Sequence, residues 1–250
     1  MVEFFANSLT DGFLDSSGMG MSLVIAQLGA SVVMVTYVFS KFWEVKQLEL
    51  FSRMVRRDVM GSQRVMDHYF ALRGGAGKVR NHSPLENIYW STCERVEKQV
   101  PAEKRGQLIH PDPAAPVVIS KYEMELVKSI GEQSLDGEAI RVEKGMGVIA
   151  TIVALAPMVG LLGTVWGVLD AFGSMGSGSA GSATIKGMAP HISSALLTTV
   201  VGLLVAIPGI VCHNCLSARL RKLQADMEGF LDDVTGRISL EFQESGSRAQ

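Results

Sequence analysis

Cysteine is scarce in this chain, three residues in 250, and so few thiols exclude a disulfide-framework fold. Cys93 stands alone, while Cys212 and Cys215 fall at the end of an apolar run, so all three read as reduced thiols on a cytoplasmic side. Charge is sparse as well. Asp, Glu, Lys and Arg make up 19% of the chain and the net charge is -2, leaving no global basic excess for a nucleic-acid partner. An apolar fraction of 47% and a mean hydropathy of +0.24 exclude a disordered chain and point away from an ordinary soluble domain.

Where charge is missing matters more than how much is present. Three long segments hold no Asp, Glu, Lys or Arg: Ser16 to Ser40, Gly145 to Leu169 and Gly187 to Ala218. Each is long enough to cross a bilayer as a helix, which takes about 20 residues, and only helices or closed barrels satisfy their backbone groups in hydrocarbon. The first follows an acidic stretch (Glu3, Asp11, Asp15) and is too long for the apolar core of a cleavable signal peptide, so it reads as a signal anchor.

Basic residues beside each span set the expected orientation, because Lys and Arg are retained in the cytoplasm. Lys41, Lys46, Arg53, Arg56 and Arg57 follow the first span, Arg141 and Lys144 precede the second, and Arg219, Arg221 and Lys222 follow the third. The expected plan is an all-α membrane protein. It has an outer segment at 1–18, a first span at 19–42, a cytoplasmic helical loop at 43–116 and a long helix over 117–172 that includes the second span. An outer Gly/Ser hairpin follows at 173–189, then the third span with a cytoplasmic helical tail at 190–242 and a disordered tail at 243–250. In the tail, Leu216, Leu220, Leu223, Met227, Phe230 and Val234 recur at spacings of four and three, the seam of a helix that packs on other helices.

Gly74 to Lys78 imitates a phosphate loop, but Leu72 stands where a Walker motif needs Gly and Val79 where it needs Ser or Thr. Cys212, His213 and Cys215 look like half a zinc site with no second pair of ligands nearby, so no metal is expected. No span pairs a nucleophile with a base, which argues against an intramembrane enzyme.

The second and third spans carry stripes of small residues that let helices approach closely where lipid supplies no hydrophobic drive. Gly160, Gly163 and Gly167 form one stripe; Ala195, Thr199, Gly202, Ala206 and Gly209 form the other. Hydroxyls sit among them at Thr164, Ser193, Ser194, Thr198 and Thr199. Asp170 and His191 fall at the expected outer ends of the two spans, where either could act at an outer mouth or simply sit solvated.

At these residues a resemblance enters. ALAPMVGLLGTVWGVLDAF (Ala154 to Phe172) followed by SSALLTTVVGLLVAIPGI (Ser193 to Ile210) resembles the paired signature of the MotA/TolQ/ExbB proton-channel family, three-span TolQ/ExbB-like branch. The resemblance implies a homo-oligomeric ring, a pentamer, around two single-span subunits of the TolR/ExbD type in the bacterial inner membrane. It implies that Thr164 and Thr199 match the two pore threonines, with Thr198 and Ser194 beside them on the ion path. Pro157 and Pro208 match the family's prolines, and Gly160, Gly163, Gly167 and Gly202 pack or gate. The N-terminus is expected outside and the C-terminus in the cytoplasm. No cofactor is expected; the translocated ion is H⁺, with Na⁺ left open. One position departs: Ser194 stands where the family usually has Glu. A proton carrier must change protonation state, and no carboxylate lies deep within any span, so the titrating group is expected from the partner. A passive membrane scaffold is the rival reading, and the envelope process served, of Tol, Ton or gliding type, stays open.

Overall fold

The computed structural model describes residues 18–74, 83–101, 105–109, 119–176 and 185–247. The outer segment before Gly18, the glycine run after Gly74, the Pro-rich PDPAAP stretch and residues 177–184 of the Gly/Ser hairpin lie outside the described residues, while 173–176 and 185–189, expected in that hairpin, are helical. Among the described residues, seven helices follow in order: α1 (Gly18–Gly61), α2 (Val65–Gly74), α3 (Pro84–Gln99), α4 (Gly106–Ile109), α5 (Lys121–Glu143), α6 (Met146–Gly176) and α7 (Ile185–Ser247). Among the described residues there is no strand. Among the described residues, three helices are long and apolar enough to cross a membrane: α1, α6 and α7.

The chain forms two compact units, Met1–Phe42 with Gly145–Ser217, and Trp43–Lys144 with Ala218–Gln250. The boundary at Lys144–Gly145 marks a difference from the sequence pattern, which suggests one continuous helix over 117–172. Gly145 takes a φ of +92°, a conformation open to glycine at little cost, and it ends α5 before α6 begins. Periodicity alone does not register such a break, because apolar residues continue on both sides of it.

In the unit Trp43–Lys144 with Ala218–Gln250, a core of buried side chains gathers Val59, Met66, Tyr69, Ile88, Tyr89 and Val127 around Met227, Phe230, Val234 and Ile238 of α7. The seam expected on the tail is therefore filled by the chain's own helices. It does not by itself call for a second copy. Gly131 of α5 shows how close the helices come: a Cβ there would lie 2.4 Å from Leu231 Cδ1 and 3.0 Å from Thr92 Oγ1. Ser120 and Glu123 form a reciprocal capping box at the start of α5, satisfying two backbone N–H groups. Glu241 of α7 accepts the backbone N–H of Val65 at 2.5 Å and so caps α2 from a distant part of the sequence. Burial pushes the Glu241 carboxyl above its ordinary range.

Candidate functional site: the seam between α6 and α7

In the other unit, α6 and α7 meet along the two stripes of small residues. A Cβ on Gly160 would lie 2.9 Å from Thr199 Cα, one on Gly163 would lie 2.1 Å from Thr198 Oγ1, and one on Gly167 would lie 2.4 Å from Ala195 Cβ. From the opposite helix, a Cβ on Gly202 would lie 2.6 Å from the carbonyl oxygen of Ala156. Real Cβ atoms do not approach so closely. None of the four positions has room for a Cβ: backbone atoms of the facing helix fill the space at Gly160 and Gly202, and the side chains of Thr198 and Ala195 fill it at Gly163 and Gly167, as expected of helix pairs in lipid.

Hydroxyls occupy the same seam. Thr198 is fully buried and its Oγ1 donates to the carbonyls of Ala195 (2.7 Å) and Gly160 (3.2 Å). Thr199 Oγ1, half-buried, donates to the Gly160 carbonyl at 2.9 Å. Ser194 is buried and donates to its own helix at His191 (3.1 Å). Thr164, half-buried on α6, donates to Leu161 at 2.8 Å, a bond within its own helix. Two of the four expected path hydroxyls thus cross between helices and converge on one carbonyl, while two bond locally. Pro157 lies inside α6, where it has no N–H to give to the carbonyl of Val153, and α7 remains helical through Pro208.

The structure brings Asp170 and His191 together: His191 Nδ1 lies 3.5 Å from Asp170 Oδ2, across the seam. They are close to the end of the seam that leads into residues 177–184.

A residue that sequence reasoning passed over completes the junction. Gln27 of α1 is 3% exposed, and its Nε2 donates to the carbonyl of Ala156 at 3.3 Å. The same nitrogen lies 3.0 Å from the position a Gly202 Cβ would take. The amide orientation is fixed by chemistry, because turning it would set two oxygens face to face. Its Oε1 has no partner among the described residues. Met34, also buried, meets Gly209 further along α1, where a Cβ would lie 2.7 Å from its sulfur. The available signal was a lone amide in an otherwise apolar span, since a polar side chain in hydrocarbon needs a partner. Among the described residues, no three His, Cys, Asp or Glu side chains gather as a metal site.

Comparison with known proteins gives a consistent result. A sequence profile of the MotA/TolQ/ExbB proton channel family matches residues 98–229, which include α5, α6 and much of α7. The Tol-Pal system protein TolQ of Haemophilus influenzae is 35% identical over 124 residues, 50% of this chain and 52% of that protein. The biopolymer transport protein ExbB of Xanthomonas campestris pv. campestris is 36% identical over 126 residues, 50% of this chain and 47% of that one. TolQ of Pseudomonas aeruginosa is 34% identical over 110 residues, 44% of this chain and 47% of that protein. The chain spans about half the length of the curated relatives it matches.

Proposed function

The chain belongs to the MotA/TolQ/ExbB proton channel family, and from that premise we propose that it is the ring-forming channel subunit of a motor driven by the proton-motive force. Five copies enclose a dimer of single-span TolR/ExbD-like subunits in the bacterial inner membrane. The N-terminus is periplasmic and the C-terminus cytoplasmic. The basic residues after α1's apolar segment, before α6 and after α7's apolar segment support that orientation.

The observation that carries the reading is the seam itself. The two motif segments, Ala154–Phe172 and Ser193–Ile210, pack directly on each other, with Thr199 bonded to the Gly160 carbonyl and Thr164 half-buried on the same helix. Thr164 and Thr199 line the proton path, and Thr198 and Ser194 lie behind them in the seam. Threonine does not titrate, so these hydroxyls hydrogen-bond water or a carboxyl, and the partner's membrane carboxylate carries the proton. One charge moved through 100 mV is worth about 2.3 kcal/mol, so large work requires many small steps and a cyclic motor fits better than a single stroke.

One observation favours the scaffold reading: Thr198 and Thr199 both have acceptors within their own chain, as packing hydroxyls would. Co-purification followed by native mass spectrometry separates the two. The motor reading expects a pentamer carrying single-span subunits, and a stable monomer without them contradicts it.

A further inference from the structure

Between Lys144 and Arg219 the sequence holds only four side chains that titrate as acid or imidazole or carry a fixed charge: Asp170, Lys186, His191 and His213. Two of these, from different helices, are brought within 3.5 Å of each other. The helices pack closely next to the pair: one turn further along the seam, a Cβ on Gly167 would lie 2.4 Å from Ala195 Cβ and 3.3 Å from the carbonyl oxygen of His191. The His191 carbonyl is taken by the Ser194 hydroxyl, while its ring nitrogen reaches across to the other helix. The two side chains remain partly open, 31% exposed for His191 and 42% for Asp170. A pair serving only to clamp the helices would gain little at that exposure.

We propose that Asp170 and His191 form a proton-uptake site on this subunit, passing protons from solution into the α6–α7 seam. The inference rests on the proposed channel function. Nδ1 faces a carboxylate, which selects the tautomer with its hydrogen on Nδ1 and leaves the Nε2 lone pair free to take a proton. Protonation at Nε2 forms a new N–H bond and gives an imidazolium beside Asp170. The Nδ1–H bond then breaks and an O–H bond forms at Asp170 Oδ2, leaving a neutral imidazole and a carboxylic acid. That acid releases the proton onward and the carboxylate is restored; the ring, left with its hydrogen on Nε2, returns to its starting tautomer by giving that proton to water while Nδ1 takes one from water, so water is the only co-reactant.

The groups facing the pair are few. From Gly18 through Ser40, α1 carries no Asp, Glu, Lys, Arg or His, and on α6 Asp170 is the sole charged residue. On α7 the nearest other charge is Lys186, whose side chain lies outside the described residues.

The test is proton flux in liposomes carrying the complete co-purified complex, with the pH on each face set independently. Asp170→Asn and His191→Gln should each lower flux roughly tenfold or more and change its pH profile. The double variant should be no worse than the weaker single one, because the two groups act as a unit. Unchanged flux and pH profile in His191→Gln, in a complex that Thr199→Val silences, overturns the uptake site and leaves the channel standing. If Thr199→Val is also fully active, the channel reading itself has failed. Should the single variants not assemble, the exchange Asp170→His/His191→Asp decides. Assembly with a restored pH-dependent flux supports the proposal; assembly without flux, or no assembly, shows a structural clamp and overturns it.

Discussion

The Thr199 hydroxyl donates to the carbonyl oxygen of Gly160, 2.9 Å away on the neighbouring helix, and the buried Thr198 hydroxyl reaches the same oxygen at 3.2 Å. One carbonyl thus ties two adjacent residues of α7 to α6. The arrangement holds Thr199 in a fixed place while part of its side chain stays accessible, which a residue on an ion path requires. Interhelical hydrogen bonds in membranes contribute about 0.6 kcal/mol on average, so fixing the side chain in place matters more than the energy of the bond.

The closeness of the seam is testable by exchanging sizes across it. Gly167→Ala puts a methyl 2.4 Å from Ala195 Cβ and should destabilise the protein by roughly 1–3 kcal/mol, the usual cost of overpacking. Adding Ala195→Gly removes the obstructing methyl and should restore most of the loss. Thermal unfolding of the two variants in detergent checks this. No rescue by the second change would mean that the backbones do not meet there.

Gly202→Ala should resist any comparable rescue. Its methyl would meet the Ala156 carbonyl oxygen at 2.6 Å, and a backbone atom has no smaller substitute. Gly173→Ala, where nothing lies within 4 Å, serves as the control and should unfold at the wild-type temperature. Equal melting temperatures for all three proteins would contradict the close packing at Gly202.

Much of this was legible in the sequence, and the failures have physical causes. Three charge-free segments announce three apolar helices, because charge is too costly to place at random in hydrocarbon. The glycine stripes announce close contact, but periodicity does not say which residue faces which glycine. Thr198 and Thr199 are adjacent, about 100° apart on a helix, so the fully buried hydroxyl and the half-buried one were indistinguishable until α6 was in place. Leu216 to Val234 read correctly as a packing seam, but the pattern does not say what it packs on; Met227, Phe230 and Val234 join the core of the chain's own helices. Gln27 was overlooked because a single amide scarcely alters an apolar pattern, although it hydrogen-bonds α1 to the α6–α7 junction.

Ser194→Ala should retain most proton flux. The hydroxyl is buried and its bond is to its own helix at His191, so its removal strands no partner across the seam. Flux that collapses in this variant would show that the serine hydroxyl itself takes part in moving protons.

Acid should weaken the unit that contains α3. Arg73 hydrogen-bonds Glu97 and, against the opposing effect of burial, holds its carboxyl below the ordinary value of 4.5, with Tyr69 donating a second bond at 3.2 Å. The same contact works in reverse on Tyr69: burial first, then the Glu97 charge, pushes its hydroxyl up to about 12. A carboxyl with a lowered value in the folded state adds stability above its unfolded value, and that contribution is lost as the pH falls through the folded value. Thermal unfolding of the full chain in detergent should therefore fall off below pH 4.5, and Glu97→Gln should flatten that limb while lowering the melting temperature at neutral pH. Parallel pH curves for the two proteins would contradict this assignment.

The central claim, that the hydroxyls of Thr164 and Thr199 take part in moving protons, is tested most directly by proton flux through the co-purified complex reconstituted in liposomes. Thr→Val keeps the side chain's shape and removes only the hydroxyl. The account predicts that Thr164→Val and Thr199→Val each reduce flux to the leak of empty liposomes, while native mass spectrometry finds the ring and its single-span subunits intact. Full flux in both valine variants would contradict it and leave the threonines with packing alone.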